Sequence, residues 1–160
     1  MSALHEPDTP AIRAARAAGV VFRLHCYPPE TPDSLTAARL IGVEPERILK
    51  TLIAEIDRER LVIAALPVTA RLNHGALAAA VDGTRSKLAP AALAEQVTGY
   101  RLRSISPLGL PMLLPIVCEA GICDYGSVFV SVGLPGYELE LTPADLVRAT
   151  GALTARIASG

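Results

Sequence analysis

The apolar positions of this 160-residue chain switch between helical and strand periods, and turn-forming residues mark most of the switches. Thr9-Pro10 followed by Ala11 to Ala18 predicts a helix, with Thr9 as N-cap, Pro10 at the first helical position and Gly19 as the stop. Val20 to Cys26 predicts a strand, halted by Tyr27-Pro28-Pro29, where two prolines withdraw two backbone donors. Asp33 or Ser34 caps a second helix through about Ile41, ended by Gly42. Pro45 and Arg47 then lead into the apolar run Ile48 to Ala54. A charged turn, Asp57-Arg58-Glu59-Arg60, separates it from Leu61 to Leu66, whose unbroken apolar character predicts a central strand, so the two runs make a hairpin at the heart of the domain. Asn73 caps a helix over Gly75 to Val81, Thr84 to Leu88 reads as a connector, and Pro90 to about Val97 predicts a helix stopped by Gly99. Leu113 to Cys118 reads as a strand. Ser127 to Val132 and Tyr137 to Leu141 form a hairpin around Gly133-Leu134-Pro135-Gly136, and a last helix runs from Thr142 to Gly151.

This interleaving lacks the regular strand-helix rhythm of a doubly wound sheet, which predicts an α+β fold with a mixed sheet. The length suits one domain over residues 1–160, with 1–8 as a disordered tail, and suffices to bury about two-thirds of the unfolded surface. Composition changes the picture in two ways. Hydrophobic residues make up 51% but aromatics only 4%, with no Trp, so the core must be built from Ala, Leu, Val and Ile. A formal net charge of −1 excludes a protein that coats nucleic acid by bulk electrostatics, so no DNA partner is expected, although a local basic cleft is allowed. Cys26, Cys118 and Cys123 form no Cys-x-x-Cys pair, and their odd number argues against a disulfide framework and for a reducing cytoplasm. The histidines His5, His25 and His74 make no metal-site spacing with them, so no metal is expected. The first ten residues carry Glu6 and Asp8 and no apolar core, unlike a secretory signal, and no run is long enough to span a membrane.

One cation breaks the apolar pattern. In a strand, Lys50 shares its face with Ile48, Leu52, Ala54 and Ile56. An unpaired ammonium among such neighbours must reach water, find an anion or lose its proton. Lys50 is therefore either a strand-end residue extended along its own methylenes or a cation lining a pocket.

The ordered set Lys50-Thr51-Leu52, Thr98-Gly99-Tyr100, Ile105-Ser106-Pro107-Leu108-Gly109 and Val130-Ser131 before a glycine turn resembles the YbaK/prolyl-tRNA-editing family, across about residues 10–155. The resemblance implies a mixed, partly barrel-like β-sheet flanked by helices. It implies hydrolysis of the ester of mischarged tRNA, typically alanine or cysteine on proline tRNA, with no cofactor. Aminoacyl-tRNA would be the partner, together with prolyl-tRNA synthetase. Lys50 matches the family's key lysine, acting by electrostatics or, if buried enough to lose its proton, as a base. Ser104, Ile105, Ser106, Pro107 and Gly109 match the substrate-binding loop, whose backbone amides suit an oxyanion. Tyr27 matches an aromatic hydroxyl bordering the pocket, and Glu138 falls where relatives often carry aspartate. Alternation alone turns Glu138 and Glu140 to water.

The chain departs from the family at Arg103-Ser104, where Gly-Gly is usual. Arg disfavours positive φ and could block the aminoacyl group, or Arg101 and Arg103 could meet RNA phosphate. A binding module without hydrolysis is thus the rival of the deacylase, and a Schiff-base lysine at Lys50 is a third reading. His25 and Cys26 suggest a nucleophilic pair only superficially, because adjacent strand residues point to opposite faces.

Overall fold

The computed structural model describes residues 6–159. Most of the expected N-terminal tail, Met1 to His5, lies outside the described residues; Glu6 and Asp8 form ion pairs with Arg16 and Arg13. Helix α1 (Pro10–Ala17) starts where expected, the Thr9 hydroxyl accepting the Ile12 amide. Strand β1 (Arg23–Cys26) is shorter than its apolar run: the Val20 amide still bonds back to Ala15, and pairing begins only where Arg23 faces Glu140. Helix α2 (Ser34–Ile41) is capped by Asp33, which accepts the Thr36 amide at 2.7 Å, and Gly42 closes it at φ 78°.

The predicted central hairpin is β2 (Leu49–Ile56) and β3 (Arg60–Pro67), in register from Leu49 opposite Pro67 to Ile56 opposite Arg60. Next come β4 (Arg71–Leu72), then α3 (His74–Ala80) capped by Asn73, and β5 (Ser86–Leu88), an edge strand where a connector was expected. Helix α4 (Ala91–Thr98) precedes a long loop. Strand β6 (Ile116–Glu119) starts late, after an exposed Leu113, because Pro111 and Pro115 interrupt the donor row. The second hairpin, β7 (Val128–Val130) and β8 (Tyr137–Leu141), precedes α5 (Pro143–Thr150), β9 (Leu153–Ala155) and β10 (Ala158–Ser159).

Three sheets result. The largest runs β5-β2-β3-β6-β9, antiparallel through β3 and parallel beyond it; β1-β8-β7 is antiparallel; β10 pairs β4. The hairpin β2-β3 is buried on both faces. Leu49, Ile53, Ile63 and Ala65 pack with Ile12, Ile105, Leu139 and Leu146, while Ala54, Ile56, Val62 and Ala64 pack with Leu77, Val117 and Ile157. Each large side chain so buried contributes about 1.5–3 kcal/mol.

The expected partial barrel needs correction, because the sheets do not close. Beyond side-chain packing, the described residues join the two larger sheets through one isolated backbone bridge, Ile48 to Phe129, and β5 covers β2 only from Ala54 to Ile56. Between these two points no strand of the described residues pairs with the edge of β2.

Candidate active site

A cleft of about 650 Å³ opens at that bare edge, walled by Ile48 to Leu52 on one side. Backbone groups in a strand alternate in direction, and the Ile53 carbonyl and Asp57 amide already point outward, to Ala89 and Arg85. The same alternation sends the backbone of Thr51 into the cleft. Pro29 to Ser34, Leu102 to Ile105 and the Leu134-Pro135 turn form the other walls, with Ser131 and Glu138 between them.

Lys50 borders this cleft, half-buried. Its ammonium donates to the Ala70 carbonyl at 2.6 Å, in the turn between β3 and β4, and burial lowers its pKa. An ammonium has three donors, so two remain for a ligand. The cation is thus not extended into bulk water, and among the described residues no carboxylate pairs with it.

Tyr27 reaches the cleft because its amide continues the β1-β8 ladder onto the Gly136 carbonyl at 3.0 Å. Its hydroxyl donates to Glu138 Oε2 at 3.4 Å. Burial, with the Glu138 charge second, pushes the Tyr27 pKa up to about 12. Glu138 itself is only 6% exposed, which overturns the expectation that alternation would turn it to water. The Pro29 to Ser34 segment walls the cleft onto which that face of β8 looks, and α2 packs through Ala38 and Ile41 against Phe129 of the adjoining β7. Burial pushes the Glu138 carboxyl up to about 8, against the opposing hydrogen bond from Tyr27.

Glu140, two residues on, has the opposite fate. Burial opposes its ionisation, yet hydrogen bonds from Ser127 and His25 and the charge of Arg47 hold its pKa below the usual value. His25 Nε2 lies 2.8 Å from Glu140, and Arg47 also donates to Ser127 and covers the Phe129 ring. This network outside the cleft was not foreseen, since its members are spread over four elements. His25 faces Glu140 rather than Cys26, in keeping with the alternation.

The loop after α4 holds Arg103 and Ser104 in ordinary backbone conformation. Leu102–Ser104 is a short 3-10 turn, the Ser104 amide donates to Arg101 at 2.8 Å, and Arg103 is absent from the residues with positive φ. Arg103 is exposed on the cleft rim, so it does not fill the pocket. Ser104 and Ile105 line the wall, and among the described residues nothing accepts from the Ile105 amide. Ser106, Pro107 and Gly109 lie behind the wall. Ser106 Oγ accepts the Leu108 amide at 3.2 Å, and the Leu108 carbonyl accepts the Tyr100 hydroxyl at 2.6 Å. Gly109, at φ 69°, lies where a Cβ would come within 2.3 Å of the Pro10 carbonyl oxygen. Arg101 is exposed and off the cleft wall.

The structure therefore brings Tyr27, Lys50, Arg103, Ser104, Ile105 and Glu138 together and leaves Arg101, Ser106, Pro107 and Gly109 in supporting positions. Sequence reasoning missed the Pro29 to Ser34 wall and Leu134; their signal was turn chemistry alone. Among the described residues no group of His, Cys, Asp and Glu could hold a metal ion, and no helix is long and apolar enough to cross a membrane.

Three comparisons bear on this geometry. The family model described as an aminoacyl-tRNA editing domain matches residues 28–149. A candidate Cys-tRNA(Pro)/Cys-tRNA(Cys) deacylase, EbsC of Enterococcus faecalis, is 29% identical over 128 residues, which are 78% of this chain and 78% of that protein. The crystal structure of a candidate trans-editing enzyme for prolyl-tRNA synthetase superimposes with a TM-score of 0.86 at 23% identity, over 97% of this chain and 100% of that one. That of a hypothetical protein gives 0.85 at 28% identity, over 94% and 99%.

Proposed function

The chain belongs to the aminoacyl-tRNA editing domain family, and we propose on that premise that it hydrolyses the ester of mischarged tRNA in trans, with Lys50 as its catalytic cation. The observation that carries the site assignment is the convergence of Lys50, Tyr27, Glu138 and the Ser104-Ile105 wall on one cleft at a bare strand edge. In this reading the terminal adenosine and its aminoacyl group enter between Lys50 and the wall. Water attacks the ester carbonyl, the carbonyl oxygen becomes an oxyanion, and collapse of the tetrahedral species releases the amino acid and the ribose hydroxyl. Lys50, oriented by the Ala70 carbonyl, and the Ile105 amide supply donors to the oxyanion. Their fixed position matters because such charge stabilisation counts only when it is stronger in the transition state than in the ground state.

Alanine or cysteine on proline tRNA are the substrates we favour. A synthetase pocket cannot strongly reject amino acids that are similar or smaller, and a second hydrolytic site does so by excluding the larger cognate residue. EbsC carries the names of cysteine esters, which agrees with this choice. Association with prolyl-tRNA synthetase would deliver such substrates. The 3-10 turn at Arg103 supports the hydrolytic reading over a binding-only module, because the arginine leaves the cleft open.

The test is a panel of alanyl-, cysteinyl-, seryl- and prolyl-tRNA esters incubated with the purified protein. Hydrolysis of the alanyl or cysteinyl ester of proline tRNA, with prolyl-tRNA spared, is the expected result. Failure on all four, with tRNA binding intact, would leave the binding module as the function.

A further inference from the structure

Resting on the deacylase reading of the cleft, we propose that Glu138 is the docking point for the α-ammonium group of the aminoacyl ester, so that the protein selects substrates whose amino group is free. Glu138 is poorly served by its own chain. Its carboxyl is buried on the cleft wall, and among the described residues its side chain has one partner, the Tyr27 hydroxyl, at a long 3.4 Å on Oε2. No described donor reaches Oε1, and since no buried side-chain oxygen among the described residues lacks a partner, Oε1 is open to the cleft. Of the roughly four acceptor sites of its carboxylate form, the described residues occupy one, and a ligand in the cleft can reach the rest.

The charges nearby do not compensate it. Lys50, on β2, gives its hydrogen bond to Ala70 rather than to Glu138. Arg103, on the loop after α4, is exposed at the rim, and Glu30 and Asp33, on the segment after β1, are further acids on the same cleft. His25 on β1, Arg47 before β2 and Ser127 before β7 are committed to Glu140. A buried acid with such neighbours stays protonated near neutral pH, in keeping with its raised pKa.

A compact cation carrying several donors would complete this site. The α-ammonium of an aminoacyl ester sits on the carbon next to the reacting carbonyl, so a group that holds it also places the carbonyl against donors on the facing wall. Docking converts the protonated carboxyl to a carboxylate paired with the ammonium and releases one proton to solvent. The ester bond is untouched in this step. Esters whose α-position carries a hydroxyl or an acylated amine cannot supply the counter-charge and are expected to be poor substrates.

The experiment compares alanyl and lactyl esters of the same proline tRNA, which differ only in ammonium versus hydroxyl. The wild type is expected to favour the alanyl ester in kcat/KM by about ten-fold or more, the size of a hydrogen bond to a charged group. Glu138→Gln is expected to collapse that ratio to about two-fold or less, through KM rather than kcat; a merely structural residue would slow both esters alike and keep the ratio. A wild type without preference, or a Glu138→Gln ratio equal to wild type, overturns the proposal. A second measurement does not depend on turnover: calorimetry in buffers of different ionisation enthalpy, with adenosine carrying alanine or lactate through a stable 3′-amide. Proton release on binding the alanyl compound alone is expected, and equal binding of both without proton release overturns the proposal. If Glu138→Gln fails to fold, Tyr27→Phe takes its place and is expected to keep the alanyl preference while shifting proton release to higher pH; loss of the preference there counts against Glu138. Should the wild type cleave neither ester, the deacylase reading fails while the calorimetry still decides the ammonium site.

Discussion

At the scale of single residues, two side chains on strands of different sheets, facing one cleft, illustrate what a sequence pattern can and cannot disclose. Lys50 was legible because one charge on an apolar strand face needs an explanation, and the structure answers it with a carbonyl and a cleft. Lys50→Ala is expected to fold with a stability loss of no more than about 1–3 kcal/mol, since the charge-assisted hydrogen bond to the Ala70 carbonyl is partly offset by the cost of half-burying the ammonium. Its deacylation rate should fall by about 100-fold or more, the loss that follows removal of one oxyanion donor, and single-turnover assays measure it. Glu138 was misread because alternation separates two strand faces without revealing that the polar-looking one is covered. Its burial has a pH signature with a definite sign. A carboxyl whose folded pKa is raised to about 8 adds stability that is complete below the ordinary carboxylate range and is lost as pH rises through 8. At about 1.4 kcal/mol per pKa unit the full loss is on the order of 5 kcal/mol. Denaturant unfolding of the ligand-free protein between pH 5 and about 8 is expected to show this decline, and Glu138→Gln to flatten it. Asp33 and Asp57, held low by backbone amides, act only in the acid range below that window.

Among the elements, helices with strong caps were located within a residue or two, because Thr9, Asp33, Asn73 and Thr142 each satisfy an amide of the first turn. Asp33→Ala should cost about 1 kcal/mol by loss of that cap, and because Asp33 and Ser34 stand on the cleft wall, it should also raise KM for the ester. Short strands fared worse. β5, β9 and β10 have two or three residues each, too few to show a period, and they exist because long-range partners recruit them. The loop from Ser106 to Gly109 resembled a substrate loop by motif, yet most of it braces the wall from behind. Gly109→Ala would place a methyl group against the backbone of α1 in a left-handed conformation, and the expected loss is about 1–3 kcal/mol of stability, read as a lowered midpoint in urea.

For the whole molecule, a net charge of −1 means that tRNA cannot be held by overall attraction and must rely on local cations at the cleft rim. Arg103→Ala is expected to weaken tRNA binding and to reduce the slope of log K against log salt by about 0.7–0.9, the value for one phosphate contact, while Lys87→Ala, on β5 and off the cleft wall, leaves the slope unchanged. The bare edge of β2 that creates the cleft also poses a hazard. Unpaired amides and carbonyls on a strand edge are a template on which the same strand of another molecule could grow a continuous sheet. The two segments walling this edge are rich in proline, with Pro29 and Pro32 on one and Pro135 on the other, and proline has no amide to offer a neighbouring strand. The gap therefore offers little purchase to another polypeptide, so the same residues that shape the cleft entrance also guard the protein against self-association.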